Sequence, residues 1–107
     1  MRIGWIGGLS RNKAQLEQIA RRRGHRLEFH TGDMAGRGAA DLRSLLERVD
    51  FLVIVTEINS HGAVIMGKRT AQASGLGTLV LRSGGPARLE QLLDAFDARQ
   101  GHFLATG

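Results

Sequence analysis

The residues of this chain that could do chemistry stand in short polar turns, each directly behind an apolar run. Gly7-Gly8-Leu9-Ser10-Arg11 follows one run, His30-Thr31-Gly32-Asp33 a second, and Thr56-Glu57-Ile58-Asn59-Ser60-His61 a third. Arg82-Ser83-Gly84-Gly85 repeats the glycine-plus-hydroxyl chemistry of the first turn. Glycines let a backbone approach a ligand closely, and a strand-to-helix turn offers unpaired N–H groups to an anion. Gly7, Gly8, Ser10, Arg11, Ser60 and Arg82 are therefore candidate anion contacts, with Gly32 turning the second loop and Lys68 two helical turns beyond His61. A tight turn alone accounts equally well for the paired glycines.

His30 and His61 are the candidates for binding a metal or haem iron, two histidines from different loops. His61 follows Ser60 at a helix start, where the positive helix end favours neutral imidazole. Ser60, His61 and a carboxylate from Glu57 or Asp33 make a hydrolytic triad by residue type only. A serine adjacent to its own base along the chain presents its hydroxyl poorly to that ring, so catalysis is the least supported reading and Ser60 reads as a helix cap. Neither G-x-G-x-x-G nor G-x-x-x-x-G-K-[ST] occurs, so NAD and ATP chemistry are not specifically indicated.

The elements that must position these turns alternate short apolar runs with helix-period segments, the pattern of repeated βα units. Strands are predicted at Arg2–Ile6, Arg26–His30, Phe51–Val55 and Thr78–Arg82. Helices are predicted over about 11–23 with Ser10 as cap, 39–49, from the Ser60 cap to about Ser74, and from Pro86 through Phe96. Ala63, Gly67 and Ala71 form a small-residue strip on the third helix. Trp5, the only tryptophan, is expected in the core.

The expected fold is α/β: a Rossmann-like three-layer sandwich with a four-stranded parallel sheet, order 2-1-3-4, and helices on both faces. All the turns then lie at the C-terminal edge of the sheet, with Gly7-Gly8 as floor, His30 on one side and Ser60-His61 on the other. Residues 1–96 form a single domain. Residues 97–107 are a tail, with Gln100–Leu104 a short extra strand or a frayed end.

Length and composition bound the class. The 107 residues suit one small domain, and no cysteine is present, so disulfides, thiolate metal sites and cysteine nucleophiles are excluded. A reducing cytoplasm fits, and no apolar stretch is long enough for a signal or a membrane span. The net charge of +5 is concentrated in residues 1–26, where seven cations face the single acid Glu17. Nucleic-acid binding through that basic third is one reading; with one tryptophan and no tyrosine there is little to stack on bases, and Arg21–Arg23 also complement a helix C-terminus.

The second and third loops, Ile6-Gly7-Gly8 and the spacing of Ser60-His61 to Lys68 together resemble the bacterial domain-of-unknown-function family 2325. That family's pattern is a strand ending in Gly-Gly, a His-x-Gly-Gly loop, then Thr-Asp-x-Val-Ser-His with a lysine two turns later. The resemblance spans residues 2 to about 90. This chain departs from it at Asp33 in place of glycine, Glu57 in place of aspartate and Asn59 in place of valine. The resemblance implies a small Rossmann-like domain and supplies no activity.

The leading expectation is a non-catalytic module binding a small anionic or nucleotide-like ligand at the sheet edge. Haem or metal at His30 and His61, and nucleic acid, are the alternatives. A small sheet with open edges, and Ile58, Val64, Ile65 and Met66 around the start of the third helix, point to a homo-oligomer with that helix at or near the interface.

Overall fold

The computed structural model describes residues 1–106, with side chains described through Arg99. Four parallel strands, β1 (Arg2–Ile6), β2 (Arg26–His30), β3 (Phe51–Val55) and β4 (Gly77–Leu81), form one sheet in the order β2-β1-β3-β4. The helices are α1 (Lys13–Arg22), α2 (Gly38–Arg48), α3 (His61–Ser74) and α4 (Pro86–Thr106), and a 3-10 turn, Ser10–Asn12, leads into α1. The expected fold class and strand order are the observed ones.

The two-residue period of a strand sorts the core into two layers. Ile3, Trp5, Val53 and Val55 face α1 and α4, packing with Leu16, Ile19, Leu89 and Leu93. Ile6, Leu52 and Ile54 face the other way, packing with Leu42, Leu45, Leu46 and Val49 of α2 and with Ala63 and Ala71 of α3. Trp5 is a core residue, 1% exposed. The small-residue strip does what its composition suggests: a Cβ at Gly67 would lie 3.1 Å from Ile54 Cδ1 and 3.4 Å from Ile6 Cδ1, so α3 rests directly on β1 and β3.

Three differences from the sequence reading go beyond a residue's shift at one end of a helix. Strand β4 lies one residue earlier at both ends, Gly77–Leu81, so Arg82 is outside it, and a Cβ at Gly77 would press on the Phe51 ring at 2.8 Å. Ser10 is not a helix cap. It opens the 3-10 turn behind Leu9, and no side chain caps that turn or α1. The last helix passes Phe96 and runs to Thr106, so Gln100–Leu104 belong to it and form no fifth strand; Gly107 lies outside the described residues. Glu90, Asp94 and Asp97 share one face of α4 and all reach Arg23 at the end of α1, at 3.4, 2.7 and 2.9 Å, which holds the helix as far as Asp97.

Candidate functional site

The site begins with two glycine turns, in which Gly7, Gly8 and Gly32 all adopt positive φ, +93°, +83° and +94°. That conformation costs a side-chain-bearing residue free energy, and here it also clears space. A Cβ at Gly7 would collide with the Val55 carbonyl and the Asn59 amide, and one at Gly32 would collide with Asn59 Oδ1. The object both turns make room for is the Asn59 side chain.

Asn59 closes the crevice between β1 and β3. Its Nδ2 donates to Val55 O at 2.8 Å and Ile6 O at 3.3 Å, the last carbonyls of those two strands, while its Oδ1 accepts from Ser60 N at 2.8 Å. Around it the backbone completes the seal: Gly7 N donates to His30 O at 2.8 Å, and Gly8 N is shared between Glu57 O and Ile58 O at 3.2 and 3.1 Å. The two glycine amides that the sequence offers to an anion are therefore already paired inside the protein. Gly7 and Gly8 are buried framework residues.

The remaining residues of the second and third loops are likewise engaged. Ser60 caps α3, its hydroxyl accepting from Ala63 N at 3.1 Å, and donates to Gly32 O, tying the loop after β2 to the loop after β3. His30 Nδ1 accepts from Gly32 N at 2.9 Å. That bond requires an unprotonated Nδ1, so Nε2 carries the hydrogen and donates to Gly38 O at 2.8 Å. Both ring nitrogens hold the β2–α2 connection. His61, the first residue of α3, is exposed, and its ring makes no hydrogen bond to another described residue. Among the described residues, no three His, Cys, Asp or Glu side chains gather as a metal set.

The other half of the edge is open. The loop after β4 passes over Gly8, whose Cβ position is 3.7 Å from Gly84 O, and meets the start of α1, where a Cβ on Gly85 would lie 3.0 Å from Asn12 Nδ2. The α1 and α4 starts are thus neighbours. Neither first turn contains an acidic residue, and Ser10 and Arg11 are exposed at the start of the 3-10 turn. Arg82 reaches into solvent with 90% of its side chain exposed, its Nε 4.0 Å from Glu57 Oε1. Lys68 stands apart, beside Leu76, Thr78 and Val80 over β4.

The family model described as an uncharacterized protein conserved in bacteria (DUF2325) matches residues 2–96. The chain belongs to this family. No curated protein and no solved structure matches it. In this DUF2325 domain the loops that carry the resemblance are the ones wired together by Asn59, Ser60 and His30.

Of the basic N-terminal third, Arg23 is committed to α4. The hydrogen bond to Asp94 pushes its pKa up from the ordinary arginine value, against partial desolvation and with help from Asp97 and Glu90. Arg21 and Arg22 are exposed at the other end of α1, far from the glycine turns. Sequence reasoning named the framework glycines and left Asn59, Asn12 and Gly85 out of the candidate contacts. The available signal for Asn59 was that it departs from the pattern the resemblance supplied.

No helix among the described residues is long and apolar enough to cross a membrane.

Proposed function

We propose that this domain binds a small anionic ligand, of the phosphate or nucleotide-like kind, at the adjoining starts of α1 and α4. One observation carries the reading: two neighbouring helix N-termini with no acid in either first turn, with exposed Ser10 and Arg11 at the start of one and exposed Arg82 in the loop that leads to the other. Each helix start concentrates about half a positive charge and leaves backbone N–H groups without intrahelical acceptors. Proteins usually offset that charge with Asp or Glu in the first turn, and here it is left for another anion. Glu57, loosely held by Arg82, is the internal carboxylate that such a ligand displaces. In this reading Gly7, Gly8, Gly32, His30 and Ser60 shape the edge, and Ser10, Arg11 and Arg82 touch the ligand.

The haem or metal reading draws less support. His30 can ligate only by giving up its bond to Gly32 N or to Gly38 O, which leaves His61 alone.

Titration with inorganic phosphate, pyrophosphate and nucleoside mono- and diphosphates tests the proposal, followed by amide chemical shifts and thermal unfolding. Saturable shifts at Ser10, Arg11 and Arg82–Gly85, with a rise in melting temperature, are expected. No response at millimolar concentrations, or shifts centred on His30 and His61, would overturn it.

A further inference from the structure

The sheet has two edges, and they are finished differently. Strand β2 carries Arg26 and Glu28, and Glu28 is clamped by Arg48 of α2 at 2.8 Å. Charged side chains of this kind blunt an edge against pairing. Strand β4 reads Gly-Thr-Leu-Val-Leu, without charge or proline, and its outward row of N–H and C=O groups has no strand beside it among the described residues.

One face of β4 is also uncovered. Val80 and Thr78 register with Ile54 and Leu52, on the α3 side of the sheet. Because α3 rests on Ile6 and Ile54 through Gly67, it leaves the outer strand in the open. Val80 is 44% exposed, one of three exposed large apolar side chains among the described residues. Beside it lies a recess of about 410 Å³ lined by Lys68, Ala71, Gln72, Leu76, Thr78 and Val80.

We propose that β4 pairs antiparallel with β4 of a second copy of this chain, making a continuous eight-stranded sheet about a two-fold axis near Leu79. Only an extended strand satisfies a row of alternating donors and acceptors. The chain's own β4 fits because its patch is self-complementary, as a two-fold interface demands. Pairing centred on Leu79 sets each Val80 opposite the other copy's Thr78, so the protruding valine of one protomer enters the recess of its mate. Charge agrees, since five uncharged residues face five uncharged residues, whereas a β2 edge in this role buries Arg26 and Glu28. The proposal relocates the expected interface. Val64 and Met66 of α3 are half-buried against the α2-side core, and it is the later part of α3, at Lys68 and Gln72, that flanks the contact. It does not depend on the anion reading.

Sedimentation equilibrium and light scattering on the wild-type chain and on Val80→Lys and Thr78→Lys test it. At tens of micromolar, on the order of ordinary interface dissociation constants, the wild type is expected as a dimer. Either variant should weaken the dimer by a factor of about 10 or more, each putting a cation into the paired strand. Both positions are exposed, so both variants should keep the wild-type circular dichroism spectrum and melt as folded monomers. A monomeric wild type overturns the proposal, as does a dimer that survives both substitutions. The chain contains no cysteine, so Thr78→Cys with Val80→Cys in one chain gives a second readout. Oxidation should yield a covalent dimer, and oxidised protein that stays entirely monomeric counts against the register.

Discussion

The two halves of the sheet's C-terminal edge are made from the same residue types and do opposite things. On the β1, β2 and β3 side, glycines, a serine and a histidine are closed on one another by hydrogen bonds that all lead to or past Asn59. On the β4 side, two serines and two arginines, Ser10, Ser83, Arg11 and Arg82, leave their side chains exposed to solvent. Open α/β sheets bind ligands where the strand order reverses, which here is the crevice between β1 and β3. In this domain that crevice holds a side chain of the protein itself. The anion site we propose lies sideways of it, toward the start of α4.

The sharpest way to break this contrast is to deny Asn59 its space. Gly32→Ala and Gly7→Ala each add a Cβ that collides with the Asn59 amide and force alanine to positive φ. Strain and overpacking together should cost on the order of 3 kcal/mol or more. Gly24→Ala separates the two terms, because Gly24 has φ +80° with no described residue within 4 Å of its Cβ position. It should cost about 1–2 kcal/mol from backbone strain alone. Chemical denaturation of the three variants checks the order, and equal losses would show that Asn59 is not what the turns accommodate.

Removing the plug is the next step down. Asn59→Ala leaves the Ile6 and Val55 carbonyls and the Ser60 amide without the side-chain partner, a loss of about 2–3 kcal/mol. Asn59→Asp keeps the shape and sets a carboxylate against two carbonyl oxygens. Their repulsion should raise the folded-state pKa of the new acid above its unfolded value, so the folded state binds the proton more tightly. Stability then falls as pH rises from the unfolded carboxylate pKa through the folded one. The Asp variant should be more stable at pH 5 than at pH 8 relative to wild type, measured by urea unfolding at both. Ser60→Ala, which removes the α3 cap and the bond to Gly32 O, should cost about 1–2 kcal/mol.

How much of this was legible in the sequence depends on which physical signal each residue sends. Strands β1, β2 and β3 were readable to the residue, because an apolar run ended by glycine or by a polar turn admits few alternatives. The strand order followed from handedness rules. The Ser60 cap was readable because capping is local. Asn59 was not, because its partners Ile6 O and Val55 O become neighbours only after the sheet forms, and an asparagine in a loop looks like any turn residue. The same holds for Gly85 against Asn12. The step of α4 past Phe96 to Asp97 was hidden because the acids Glu90, Asp94 and Asp97 are answered by Arg23 on another helix. The glycines were legible as turns and their task was not, since a positive-φ turn built for an anion and one built for an amide side chain read alike.

Ile58 records the cost of the closure. It is β-branched, 60% exposed and held at φ +51°, in the left-handed region, by the Gly8 amide on its carbonyl and by the anchored Asn59 behind it. Ile58→Gly should release that strain and raise stability by up to about 1 kcal/mol, visible as a higher denaturation midpoint.

The smallest effect on stability decides the other half of the edge. Arg11→Ala and Arg82→Ala alter exposed side chains, and Arg82 holds only a long contact to Glu57, so each should shift unfolding by less than about 0.5 kcal/mol. If the open side binds anions, phosphate affinity should nevertheless fall about 5- to 10-fold in each variant, the loss of one charge-assisted hydrogen bond. Glu57→Gln should move the other way and tighten binding, because it removes the carboxylate that competes for Arg82. The closed side predicts the reverse pairing of effects: Ser60→Ala loses stability and, in protein that remains folded, leaves phosphate affinity unchanged. A Ser60 variant that folds and loses phosphate binding would return the ligand to the crevice between β1 and β3, and the division of the edge into a sealed half and a binding half would have to be redrawn.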